Sequence, residues 1–477
     1  MNGTAASLEL GALALAVAIL AFDLIVPARA ADPRRGGLFA LAGAGLSGLI
    51  AWSFSLPTPV ALTDAFIQDG FALFAKRILL GAVLLAVAGL YPYARKRGIA
   101  DRSGEALVLL LFATVGGMAL CSAREFLTLF VAFELLSLPL YVLAALEKER
   151  KTAAEGAIKI FLFGSVSSAV MLLGIGFLFA ATGTTFWMRV TQWPNDPLVS
   201  VGAALLLVGF GFKIAIFPFS LWVPDTYQAA PTPILAFISV APKAAAVVAL
   251  FRLVFEVFQP AGVPVTTWLA ILAGLTMLVG NLLALRQHDL KRLLAFSGIA
   301  QIGYVLLALA AGSKLAAGLA LFAFVAYLAA NAGAFLVVAA METSGCEPTL
   351  QGARHMVARS PLLAAAMLVF LLSLGGIPFA LGFWGKMYVF LAAAQAGLFG
   401  LVFLGAVLAV VALFYYLSIA RSMFIVKEDG PEVEVAAPIL AAILACAIVA
   451  GAGGLVPQWF VDPALKAAES MTIPSSR

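Results

Sequence analysis

Apolar residues in this chain come in runs of about twenty, the length that crosses a hydrocarbon core as a helix, and polar residues gather in short stretches between them. The runs lie near 8–27, 37–56, 71–93, 104–122, 125–146, 155–182, 198–228, 232–257, 266–285, 291–311, 315–341, 360–397, 400–424 and 437–456. The pattern predicts an all-α polytopic membrane protein with about 14 transmembrane helices. Two of the longer runs contain a proline-phenylalanine pair, Pro218 in the seventh and Pro378 in the twelfth. Proline cannot donate to the carbonyl four residues before it and its ring collides with that carbonyl, so broken helices are expected in both spans. An interruption at membrane depth is tolerated only where it is buried in protein or lines a wet cavity. No connection exceeds about 20 residues, so no soluble domain is expected between the runs. The first run has no basic stretch ahead of it and reads as a retained helix rather than a cleaved signal.

Composition agrees: 63% of residues are hydrophobic and 11% charged, where soluble domains carry about a quarter charged. The formal charge of +5 does not point to nucleic acid, because the basic residues sit in small clusters between apolar runs. Cys121, Cys346 and Cys446 are isolated, so no iron–sulfur, zinc or disulfide framework is expected and no metal site is assigned. The stretch GAGLSG at Gly43–Gly48 fits a dinucleotide fingerprint by spelling alone; it lies inside an apolar run with no strand before it, and reads as close helix packing.

The connections are asymmetric in charge. Those leading from odd to even spans hold seventeen basic residues, among them Arg29, Arg34, Arg35, Arg150 and Lys427, against five in the other connections and tails, Arg124, Arg189, Lys314, Lys466 and Arg477. By the positive-inside rule the odd-to-even connections are cytoplasmic and both termini non-cytoplasmic. Lys76 and Arg77, near the outer end of the third span, run against this pattern.

Chemistry must come from ionisable groups within the spans, since an intramembrane charge costs at least about 2.5 kcal/mol at mid-bilayer and is a functional candidate by default. Glu134 lies in the fifth run beside Pro139, Lys213 five residues before Pro218, Lys243 directly after Pro242, and Lys386 eight residues after Pro378. For Glu134 the alternative is a structural ion pair; for each lysine it is snorkelling to an interface. Burial and pairing push the protonation of Glu and Lys in opposite directions, so a Glu–Lys contact that opens and closes can release and recapture a proton. Lys159, one turn into the sixth span, is a weaker candidate. Gln301, Asn281 and Asn331 could hold water or simply join helices. His288 and His355 fall outside the spans. The carbonyl of Leu374, freed by Pro378, needs a partner, and ordered water is expected to supply it. IFPFSLW at Ile216–Trp222 is echoed by IPFALGFW at Ile377–Trp384, five spans later. An odd offset gives the two units opposite topology, as in inverted-repeat transporters.

These residues, with FVAFELLSLPLYVL at Phe130–Leu143, EGAIKIFLFGSVSSA, GFKIAIFPFSLWVPDTYQAAPTP and HDLKRLLAFSGIAQIGYVLLAL at His288–Leu309, resemble the antiporter-like membrane subunits of proton-pumping NADH:quinone oxidoreductase, most closely the subunit N branch. The resemblance covers nearly the whole chain. It implies two inverted five-helix repeats, 104–257 and 266–424, after three N-terminal helices in 1–103 and before a last helix at 437–456. It maps a glutamate–lysine pair onto Glu134 and Lys213, a connecting lysine onto Lys243 and an exit residue onto Lys386, where the subunit M pattern has glutamate. No lateral-helix extension of the subunit L kind is expected. The family often has histidine where this chain has Ser220, and histidine or another polar group at Gln301; serine and glutamine orient water but do not titrate near neutral pH. The resemblance further implies no cofactor in this chain, NADH, flavin, iron–sulfur clusters and quinone in partner membrane and peripheral subunits, and a place in the lipid bilayer of a bacterial cell (inner) membrane. Two other functions share these features: a subunit of a cation/proton antiporter or membrane-bound hydrogenase, and a membrane scaffold whose buried charges serve only assembly.

Overall fold

Thirteen helices among the described residues are long and apolar enough to cross a membrane, and the twelfth predicted span is a pair, Pro361–Gly375 and Leu381–Gln395, of fifteen residues each. The computed structural model describes residues 3–25, 35–149, 151–190, 195–426 and 432–471. Arg29, Arg34, Arg150, Lys427 and Arg477 lie outside them.

Burial divides the spans into an interior and a rim. The eighth span, Thr232–Phe258, is buried over all of its most apolar window, the tenth, Leu290–Ala311, over 94% and the eleventh, Lys314–Thr343, over 83%, against 28% for the first. Lipid exerts no hydrophobic drive between helices, so an enclosed helix is held by close packing and polar contacts. Gly303 and Gly280 show the closeness: a Cβ at either would lie 2.6 and 2.5 Å from a backbone nitrogen of the neighbouring helix. In the GAGLSG stretch only Gly45 packs this way, against Leu15, while Gly43 and Gly48 have open space.

Capping follows local sequence. Asp69, Asp196, Asp289 and Ser313 accept backbone N–H bonds at the starts of the third, seventh, tenth and eleventh spans, and Gly98 and Gly312 close the third and tenth in the left-handed region.

The seventh span ends at Ile214, four residues before Pro218, and resumes as Val223–Ala229. Ala215 closes it with φ 66°, a conformation that costs a residue with a Cβ about 1–2 kcal/mol. The twelfth ends at Gly375 and is closed by Gly376, φ 80°, where no such cost arises. Side chains satisfy the freed backbone: Thr276 Oγ1 accepts from the Phe217 N–H at 3.1 Å, and Ser373 Oγ from the Gly382 N–H at 3.0 Å. The five-span offset between the breaks places them in two inverted five-helix repeats. Two π-turns, Val254–Phe258 and Leu328–Ala332, interrupt the eighth and eleventh spans.

Two elements escape the hydrophobic pattern: a hairpin of Val60–Thr63 and Phe66–Gln68, and an amphipathic helix, Gln458–Glu469, whose Leu465 backbone packs within 3.0 Å of where a Cβ on Gly318 would stand. The structure also accounts for Lys76. Its ammonium is fully buried 2.7 Å from Glu9 and 3.1 Å from Gln68, so it is an internal partner and not a topology signal. Arg35 is likewise buried, 3.2 Å from Asp23.

Candidate functional site

Glu134 is half-buried on the fifth span, Phe126–Ala144, and accepts a hydrogen bond from Ser168 of the sixth. Lys213, in the last turn before the first break, donates to Ser137 Oγ, with its ammonium 4.6 Å from the centroid of the Phe133 ring. Ser137 stands three residues after Glu134, on the same helix face, so the structure places a serine where the sequence suggests direct Glu–Lys contact. No ion pair within 4.0 Å joins Glu134 to Lys213.

Lys243 lies at the centre of the enclosed eighth span. Its ammonium is 3.4 Å from the carbonyl oxygen of Gly298 on the tenth span and 5.8 and 5.9 Å from the ring centroids of Tyr227 and Tyr327. Both rings sit at the range where an aromatic quadrupole attracts a cation.

Lys386 turns back into the second break. Its ammonium donates to the carbonyl oxygens of Leu374 at 2.6 Å and Gly375 at 3.2 Å and sits 5.0 Å from the Tyr304 ring centroid. The Leu374 carbonyl also accepts from Gln301 Nε2 at 2.9 Å. The partner expected to be water is therefore the lysine itself together with Gln301. Gln301 reaches Tyr416 at 3.3 Å, and Tyr416 pairs with Ser297 at 2.5 Å. Beside these groups lies a cavity of about 40 Å³ lined by Gln301, Tyr304, Tyr327, Ser373 and Lys386, among others, enough for a few water molecules.

Lys159 sits apart. It bonds Glu155 and Asp225, each at 2.7 Å, and Arg292 holds the other oxygen of Asp225 at 2.6 Å. Lys159 thus belongs to a partly exposed charge cluster at the end of the broken seventh span. Ser220 is buried within that break, and Trp222 ties it back through Nε1 to the Phe212 carbonyl at 3.2 Å. Trp384, its echo, instead donates to Gly454. Asn281 and Asn331 join helices, to Tyr415 at 3.1 Å and Ser239 at 2.7 Å.

Residues 123–412 match the family described as NADH:quinone oxidoreductase/Mrp antiporter, TM. Across 98% of this chain and 98% of the relative, the chain is 34% identical to NADH-quinone oxidoreductase subunit N of Moorella thermoacetica. The chain belongs to the NADH-quinone oxidoreductase subunit N family. It is also similar to a chain in the structure of respiratory complex I from Thermus thermophilus with bound aureothin, at 34% identity and TM-score 0.82 over 95% of this chain and 98% of that one. Likeness to a chain of an archaeal membrane-bound sulfane sulfur reductase, at 23% identity and TM-score 0.88 over 98% of each, concerns the fold alone.

This subunit N family member contains a second set of buried charges that apolar runs conceal. Arg252, inside the eighth span and fully buried, bonds Asp69 at 2.5 Å, Glu256 at 3.3 Å and the Cys121 carbonyl at 3.0 Å, and Arg124 closes the group on Glu256 at 2.8 Å. Arg252 and Glu256 are four residues apart on one helix face, which is the signal that marks them as mutually paired. Nothing in the sequence pairs Arg252 with Asp69, 183 positions away.

Proposed function

We infer that this chain is the proton-translocating membrane subunit of an NADH-quinone oxidoreductase, and that protons cross it by way of Glu134, Lys213, Lys243 and Lys386. In this reading electron transfer from NADH to quinone takes place in partner membrane and peripheral subunits that hold flavin, iron–sulfur clusters and quinone. The unit 104–257 carries Glu134, Lys213 and Lys243, the inverted unit 266–424 carries Lys386, and 1–103 and 437–456 flank them. The charge asymmetry of the connections puts both termini on the non-cytoplasmic side of a bacterial cell (inner) membrane.

One observation carries the reading. Lys213, Lys243 and Lys386 are 4%, 1% and 9% exposed, and their hydrogen-bond acceptors are a hydroxyl and backbone carbonyls. A lysine retained for structure would be expected beside a carboxylate, because a buried charge is strongly destabilising when unpaired. A lysine held by neutral oxygens can change protonation state without first parting an ion pair. Arg252, by contrast, is surrounded by carboxylates and has the contacts of a structural cation.

The exit position separates this reading from that of a scaffold. Lys386→Ala should lower proton uptake by vesicles containing the assembled complex. Lys386→Arg should lower it too, because a guanidinium does not deprotonate under these conditions. Full pumping by the arginine variant would mean that only a fixed positive charge is needed beside Leu374, and the exit role would have to be given up. At the other end of the path, Glu134→Ala should impair pumping more than Glu134→Asp; equal rates with assembly intact would remove Glu134 from the titrating set.

A further inference from the structure

We propose that the hydroxyl of Tyr327 is the proton-transfer group that joins Lys243 to the cavity beside Lys386, an inference that rests on the pathway proposed above. Tyr327 is the last residue of Lys314–Tyr327 and directly precedes the π-turn Leu328–Ala332, a feature that recurs at functional positions in helices. It is 7% exposed, and among the described residues nothing hydrogen-bonds its hydroxyl. Buried polar groups are nearly always partnered by protein or water, so an orphaned hydroxyl here calls for an explanation.

Its surroundings provide one. A Cβ placed on Gly298 would lie 2.7 Å from the Tyr327 hydroxyl and 3.1 Å from the Lys243 ammonium. Both polar groups therefore close on the Cα of Gly298, no farther apart than those two distances laid end to end, and the packing at the hydroxyl is tight. A water admitted here by a small parting of the helices at the π-turn would bridge the two groups with two hydrogen bonds. The same tyrosine lines the cavity whose wall includes Lys386. Other tyrosines meet only part of this description. Tyr227 is as near to Lys243 but does not line the cavity. Tyr304 lines the cavity, but its hydroxyl lies 3.5 Å from Asn281 Nδ2.

The transfer balances without electrons. A proton leaves the Lys243 ammonium through the bridging water and forms a new O–H bond on Tyr327, while the original phenolic O–H breaks and its proton passes to cavity water. That water hands a proton to the neutral amine of Lys386. Lys243 ends neutral, Lys386 charged and Tyr327 again a phenol, and rotation of its hydroxyl restores the starting geometry.

The test uses the complete complex in vesicles, following NADH-driven proton uptake in H₂O and D₂O. Tyr327→Phe keeps the ring and removes only the hydroxyl; uptake should slow about tenfold, the factor by which one lost hydrogen bond changes a rate. The H₂O/D₂O rate ratio should change with it, which a packing defect would not cause. Lys243→Met is run alongside. If it abolishes uptake while Tyr327→Phe matches the wild type in rate and isotope ratio, the tyrosine inference is overturned and the lysine pathway stands. Wild-type uptake by Lys243→Met would remove the pathway itself. Should Tyr327→Phe fail to assemble, Gly298→Ala is read in its place, since its methyl group fills the seam; wild-type uptake there overturns the proposal.

Discussion

Replacing Lys243 with methionine should leave the complex assembled and stop it pumping. Methionine matches the length of the lysine stem, so the packing around the centre of the eighth span is conserved. The ammonium it removes lies among the Gly298 carbonyl and the rings of Tyr227 and Tyr327, with no ion pair. Loss of that charge strands no carboxylate, and thermal stability of the purified complex should stay level or rise. Pumping should fall by at least about a hundredfold, the usual contribution of one positioned acid–base group. Lys243→Arg should fail as well, because its cation holds its proton. A methionine variant that pumps normally would show that protons bypass the eighth span.

The same substitution at Arg252 should have the opposite consequence. Arg252→Met leaves Asp69 buried without its cation, while Glu256 keeps Arg124, and stranding a buried carboxylate costs about 3–5 kcal/mol. The subunit should be lost from the complex in mild detergent, or the melting temperature should drop clearly. Adding Asp69→Asn should recover part of the loss, since the stranded charge is then gone. Unchanged stability of Arg252→Met would mean that the cluster holds nothing together. Two buried cations on one helix are thus sorted by their partners: one whose loss is tolerated by the fold but not by function, and one whose loss the fold itself does not tolerate.

The helices were legible because length and hydropathy alone decide whether a run crosses a bilayer, and Pro218 and Pro378 mark their breaks by removing a donor. The amphipathic helix Gln458–Glu469 and the hairpin at Val60–Gln68 were not, because neither contains an apolar run of spanning length. Within the site, Glu134, Lys213, Lys243 and Lys386 stand out as charges in apolar surroundings. Their partners do not. Ser137, Gly298 and the Leu374 carbonyl become relevant only when distant segments meet, and Tyr327 passes in the sequence for one more aromatic residue in an apolar run. Arg252 was hidden differently, by lying close to the end of its run, where a cation reads as interfacial.

The enclosure of Thr232–Phe258 bears on how the chain is made. This helix carries Lys243 near its centre, where a charge on an isolated membrane helix costs about 2.5–3.5 kcal/mol, and Arg252 and Glu256 towards its end. In the finished subunit none of them meets lipid, because neighbouring helices surround the segment and Asp69, at the start of the third span, neutralises Arg252. The third span leaves the ribosome long before the eighth, and the tenth and eleventh leave after it. Membrane insertion of the eighth is therefore favoured when the third is already waiting to receive it, and its last exposed faces close only when the tenth and eleventh arrive.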